Sequence, residues 1–192
     1  MKSEKFDPIL IRKITLVGLL TALTVALSFV KIPIIGASIT LVLPVVVIGA
    51  ALCGPFVGAW LTIIPNILAF TEAGIFITYS PAGCVATLLL KGILAGLSAG
   101  FVYKLMSARH PIGAVTLSAV VAPTVNSLTF FLGCYIFIWQ ELIAVAEEKG
   151  VGIGLLVFGL VVLNYIIELI LNIVLCPTIL RIIKIAEKKK AK

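Results

Sequence analysis

Charge is the scarcest property of this chain. Only 12% of its 192 residues are Asp, Glu, Lys or Arg, against about 25% in a soluble domain. Hydrophobic residues make up 61%, and the mean hydropathy is +1.26. So few polar groups would not cover a water-exposed surface, so lipid is the expected solvent. Histidine is nearly absent: His110 is the single one. It sits beside Pro111 in a basic turn, with no second ligand nearby. Cys53, Cys84, Cys134 and Cys176 are widely spaced and form no CxxC or Cys/His cluster. They read as small apolar residues rather than a disulfide frame or a metal site. No GxxxxGK[ST] loop is present, which excludes ATP binding by that route. HExxH and Gx[ST]xG are missing too. The expectation is therefore no metal, no cofactor and no catalysis by this chain. The amino end does not read as a cleavable signal, because charges recur up to Lys13 and the apolar region continues into a whole bundle.

What is present is a series of apolar runs. About 20 such residues span a bilayer core. The runs predict an all-α membrane protein, a six-transmembrane-helix bundle in a single domain over 1–192. The spans fall at about 9–30, 40–53, 56–70, 82–106, 114–138 and 154–183. The second and third are short, and a single re-entrant hairpin is the other reading of them. Gly54-Pro55 separates that pair. Residues 31–40, KIPIIGASIT, read as a loop apolar enough to pack rather than be solvated. Residues 71–81 read as a semi-polar connection, and 139–151 as an interfacial stretch.

The basic residues orient the bundle. Lys2, Lys5, Arg12, Lys13, Lys104, Arg109, Arg181, Lys184, Lys188, Lys189, Lys190 and Lys192 are twelve of the fifteen, and all lie at the two chain ends or the 104–110 turn. Lys31 and Lys149 fall on the other side. Basic loops stay in the cytoplasm, so both termini are expected to be cytoplasmic. The net charge of +7 is then a topology signal rather than a nucleic-acid footprint. The lysine tail also suits anionic lipid.

Against this apolar background a few residues stand out. In LNYIIELILN, Asn164, Glu168 and Asn172 recur every four residues, within about 80° of one helix face. An ionisable group at such depth normally faces a bundle interior or a cavity. Lys91, in LLLKGILAG, is about ten residues into its span, about 15 Å deep. Glu168 and Lys91 are therefore at similar depth with opposite sign. They read either as a structural ion pair or as groups that bind opposite ends of a ligand. Asn126 lies in APTVNSLTFF and Asn66 in IIPNILAF, each near a proline that frees a backbone carbonyl. Tyr165 and Tyr135 offer stacking faces or plain packing. Trp60 and Trp139 read as interfacial anchors. Small residues also recur at fours: Gly18, Ala22 and Ala26 in the first span, Gly92, Gly96 and Gly100 in the fourth. Such rows let helices approach closely. The second row reads as internal packing, and the first is left open.

These pieces in this order resemble the substrate-binding S components of energy-coupling factor (ECF) vitamin transporters. The resemblance is carried by GLLTALTVALSF at 18–29, KIPIIGASIT followed by LVLPVVVIGAALCGPFVGAW, SPAGCVATLLLKGILAGLSAGFVYKL at 80–105, and the polar residues at 164–172. It covers nearly the whole chain. It implies a subunit that binds one micronutrient near the extracellular side and joins a coupling transmembrane (T) protein and two ATPases. It implies that the row of Gly18, Ala22 and Ala26 meets the coupling protein. By position it makes Lys91, Asn126, Asn164 and Glu168 ligand candidates, with Asn66 added from its deep placement and residues 34–40 as a lid. It also implies toppling in a prokaryotic-type plasma membrane, reset by the partners' ATP hydrolysis. Pantothenate and riboflavin are the leading substrates. A self-sufficient secondary transporter or channel using Lys91 and Glu168 as a relay is the rival, together with a scaffold subunit. The small chain without an inverted repeat speaks against the relay.

Overall fold

The computed structural model describes residues 8–34 and 37–188. Prolines open its helices where the breaks were expected. Helix α1 spans Pro8–Phe29 and leads into a β-hairpin, β1 (Lys31–Ile34) and β2 (Ala37–Thr40). Then come α2 (Val42–Cys53), α3 (Pro55–Ala69), a 3-10 turn at Phe70–Glu72, α4 (Gly74–Tyr79), α5 (Pro81–Met106), α6 (Pro111–Phe137) and α7 (Trp139–Glu148). A last long helical stretch runs through α8 (Ile153–Val157), a π-helical turn at Phe158–Leu163 and α9 (Asn164–Lys188). Pro55, Pro81 and Pro111 each occupy the first helical position, where the missing N–H costs nothing. Gly54 joins α2 to α3 at φ +102°, a conformation that side chains disfavour.

Among the described residues, four stretches are long and apolar enough to cross a membrane: Leu10–Phe29, Pro81–Met106, Pro111–Phe137 and Ile153–Ala186. The two short spans are separate helices of 12 and 15 residues. One expectation is corrected. Residues 31–34 and 37–40 are not loop but the two strands of an antiparallel hairpin, with Lys31 opposite Thr40 and Ile34 opposite Ala37. Pro33 is tolerated because a two-stranded ribbon has only edges. Of the expected lid, residues 35 and 36 lie outside the described residues, as do Lys2, Lys5, Lys189, Lys190 and Lys192.

The core explains the odd composition of α2. Every residue from Val42 to Ala50 is buried, and α2 touches α1, α3, α5, α6 and α9. A helix enclosed on all sides is apolar all round. Around it, α5 packs closely on α3 along the glycine row. A Cβ on Gly96 would strike the Gly58 backbone, and one on Gly100 would strike Pro55. That row is internal packing. Ser118 Oγ donates to Ala99 O at 2.9 Å and ties α6 to α5.

Two apolar clusters mark the two ends of the bundle. One gathers Tyr103, Ala114, Val115, Ile179 and Ile183 around the α2 valines. At the same end Arg12 Nη2 donates to Ala186 O at 3.4 Å, so the start of α1 lies beside the end of α9. The other cluster holds Phe76, Cys84, Leu88, Cys134, Ile138 and Leu142. The outer face is apolar, with Leu19, Phe56, Leu105 and Val174 each more than 60% exposed. Such a surface suits lipid rather than water.

Candidate functional site: a polar cavity in the half of the bundle away from the termini

The site forms where α1 ends and α2 begins. A cavity of about 130 Å³ opens there, lined by Ser28 of α1 and by Val42 and Leu43 of α2. The later half of α3 supplies Thr62, Pro65, Asn66, Leu68 and Ala69. Lys91 and Gly92 come from α5, Asn126 from α6, and Asn164 and Glu168 from α9. The first apolar cluster fills the bundle beyond it. The cavity therefore lies toward the hairpin end, opposite the Arg12–Ala186 contact.

Its electrostatics are built from few groups. Glu168 is 8% exposed and accepts a hydrogen bond from Asn126 Nδ2 at 3.4 Å. Lys91 Nζ lies 4.9 Å from the centroid of the Phe130 ring. No lysine–carboxylate contact within 4.0 Å joins Lys91 to Glu168 among the described residues. Lys91 and Glu168 line the same cavity, where opposite charges attract through space. The side-chain oxygen of Asn164 is buried without a hydrogen-bond partner. An unsatisfied buried acceptor is costly and calls for an explanation.

Several neighbours give the cavity its shape. A Cβ on Gly92 would collide with the Asn66 amide and with Thr62. Glycine there is what admits Asn66. Thr62 Oγ1 donates to Ala59 O at 2.7 Å, and Ser28 Oγ donates to Thr24 O at 2.6 Å. Both hydroxyls keep acceptor lone pairs. The volume exceeds that of several waters, yet is below the ~300 Å³ of a small-molecule pocket. A vitamin-sized guest requires a wall to move. The hairpin lies at this end of the bundle, with β2 resting on α9 and α1.

The chain from residue 12 to 180 matches the family model of the substrate-specific component of ECF transporters. It belongs to that family. Comparison with curated proteins finds no match, and neither does comparison with solved structures. ECF substrate-specific components are substrate-binding subunits of membrane transporters and are not ATPases. The division agrees with a polar cavity in an apolar bundle.

All five polar residues singled out from the sequence of this ECF component line the one cavity: Asn66, Lys91, Asn126, Asn164 and Glu168. Asn172 does not join them. It is 1% exposed, and its amide donates to Glu168 O, one turn back, at 2.9 Å. Tyr165 does not line the cavity either, and its hydroxyl lies 3.2 Å from Thr124 Oγ1. Tyr135 is exposed and stacks at a tilt on Trp139, 5.2 Å between centroids. Ser28, Thr62 and Phe130 were missed. Ser28 was within reach, since Thr21, Thr24 and Ser28 form a hydroxyl row along α1 on the face away from Gly18, Ala22 and Ala26. Those three are exposed, and a Cβ on Gly18 would meet nothing within 4 Å. Among the described residues no three His, Cys, Asp or Glu side chains converge on a common point.

Proposed function

We propose that this ECF component captures a B-type vitamin or vitamin precursor in the cavity and delivers it with an ATP-driven coupling module. One observation carries the reading. Polar side chains from α3, α5, α6 and α9 converge on one cavity, in a chain with only 12% charged residues. Burying them without a ligand costs stability and returns nothing. Amides and one ion of each sign replace the hydration of a small polar solute. Pantothenate and riboflavin are the leading candidates.

The same reading places α1, α2, α3, α5, α6 and the α8–α9 stretch as six spans of a prokaryotic plasma membrane. Arg12, Lys13, Lys104, Arg109, Arg181 and Lys184 then lie in the cytoplasm. The cavity opens toward the outside, and toppling of the whole bundle carries it inward. The exposed row of Gly18, Ala22 and Ala26 is the docking groove for the coupling T protein, which works with two ATPases.

The test is purification in mild detergent, with mass spectrometry of any vitamin that travels with the protein, and uptake assays with and without a coupling module. A single vitamin, and uptake only with the module, support the reading. Uptake without the module overturns it in favour of a self-sufficient transporter. The groove has its own test. Ala22→Leu combined with Ala26→Leu is expected to leave vitamin affinity unchanged and to lower uptake at least about tenfold, because side-chain bulk forbids close helix approach. Unchanged uptake would remove α1 from the interface.

A further inference from the structure

We propose that the substrate carries a carboxylate, that Lys91 receives it, and that Phe130 is the positioning residue that keeps Lys91 available. The inference rests on the binding role proposed above and names the chemistry of the ligand.

The observation is a separation of charges. Lys91 and Glu168 line the same cavity. Opposite charges in a low-dielectric site attract strongly, and the lysine stem is long and flexible. Yet no contact within 4.0 Å joins them. Each is held by a neutral partner instead. The Lys91 ammonium lies over the face of Phe130, 4.9 Å from its centroid. That face carries the negative lobe of the ring quadrupole. Glu168 takes the Asn126 amide at 3.4 Å. Phe130 is itself fixed, meeting Phe76 edge-on at 6.2 Å and 60°, and Phe76 is buried in the second apolar cluster.

The consequence is a two-ended site. A ligand carboxylate neutralises Lys91 while Lys91 stays on the ring. The other end of the ligand supplies N–H or O–H donors to Glu168, and Asn66 and Asn164 serve the polar groups between. A neutral ligand leaves Lys91 with no counter-charge nearer than Glu168, which is not within 4.0 Å. Without the ring, Lys91 swings to Glu168, the two charges cancel each other, and both ends of the site weaken together.

The experiment uses vitamin pairs that differ in charge at one group: pantothenate and its alcohol pantothenol, nicotinate and nicotinamide, biotin and biotinamide. Riboflavin and pyridoxine serve as neutral vitamins. Affinities are measured by calorimetry on detergent-purified wild type, Lys91→Met, Phe130→Leu and Phe130→Tyr, with thermal unfolding as the fold check. One acid is expected to bind at least about 100-fold tighter than its neutral twin. Lys91→Met erases the ratio. Phe130→Leu lowers it about tenfold and Phe130→Tyr restores it, since a phenol ring keeps the cation-binding face. Tightest binding of riboflavin, pyridoxine or a neutral twin overturns the inference while leaving vitamin binding intact. Phe130→Leu with an unchanged ratio removes Phe130 from the role. A folded wild type that binds none of these probes overturns the vitamin reading and this inference together.

Discussion

Glu168→Ala is expected to weaken vitamin binding at least about 30-fold, because truncating one member of a buried hydrogen-bonded charge set costs ~2–5 kcal/mol. The carboxylate is the hub of the cavity. It accepts from Asn126, its backbone carbonyl accepts from Asn172, and it is the negative end opposite Lys91. Glu168→Gln retains the shape and one acceptor, so it should fall between wild type and alanine. Calorimetry with the vitamin that co-purifies reads this directly. A Kd within threefold of wild type for Glu168→Ala would show that the carboxylate serves the bundle and not the ligand.

Gly96→Ala should destabilise the protein by about 3 kcal/mol, at the upper end of ordinary overpacking, and Gly96→Leu should prevent its accumulation in membranes. The atoms in the way are the carbonyl group of Gly58 and the amide nitrogen of Ala59. These are backbone, so no rotamer change relieves the clash. The α3–α5 seam must open, and with it the wall that carries Asn66 and Lys91. Gly18→Ala is the matched control, because its added methyl enters open space. Thermal unfolding of the purified variants checks both. Equal midpoints for Gly96→Ala and wild type would mean that the seam is slack.

The legible parts of this protein share one physical property: contrast with the background. Gly54-Pro55 and the Pro81 and Pro111 starts stand out because proline and glycine restrict the backbone locally, whatever the solvent. Lys91, Glu168 and the asparagines stand out because a polar side chain in an apolar run has to be explained. The hairpin at 31–40 lacked such contrast. KIPIIGASIT is apolar nearly throughout, and its period-two pairing is too short to separate from a packed loop. Ser28 and Thr62 were hidden because a hydroxyl in any helix can bond the preceding turn. Phe130 was hidden because an aromatic in a membrane helix reads as packing. Asn172 shares the face of Glu168 at 100° per residue, but the cavity stops short of it. Below that level Cys176 and Ile179 fill the space. Periodicity gives the face, while depth along that face depends on neighbours from other helices.

The π-helical turn at Phe158–Leu163 has a consequence for how the last span tolerates changes of length. A π-turn holds one more residue than an α-turn over the same path. The chain thus stores a surplus residue immediately before Asn164. Removing one residue between 158 and 163 lets the turn rewind to α pitch while the helix on either side keeps its place. The same deletion after Leu163 has no such reserve. It would rotate part of the polar row by about 100° away from the cavity. Single-residue deletions in this span are therefore absorbed within Phe158–Leu163 and punished downstream of it.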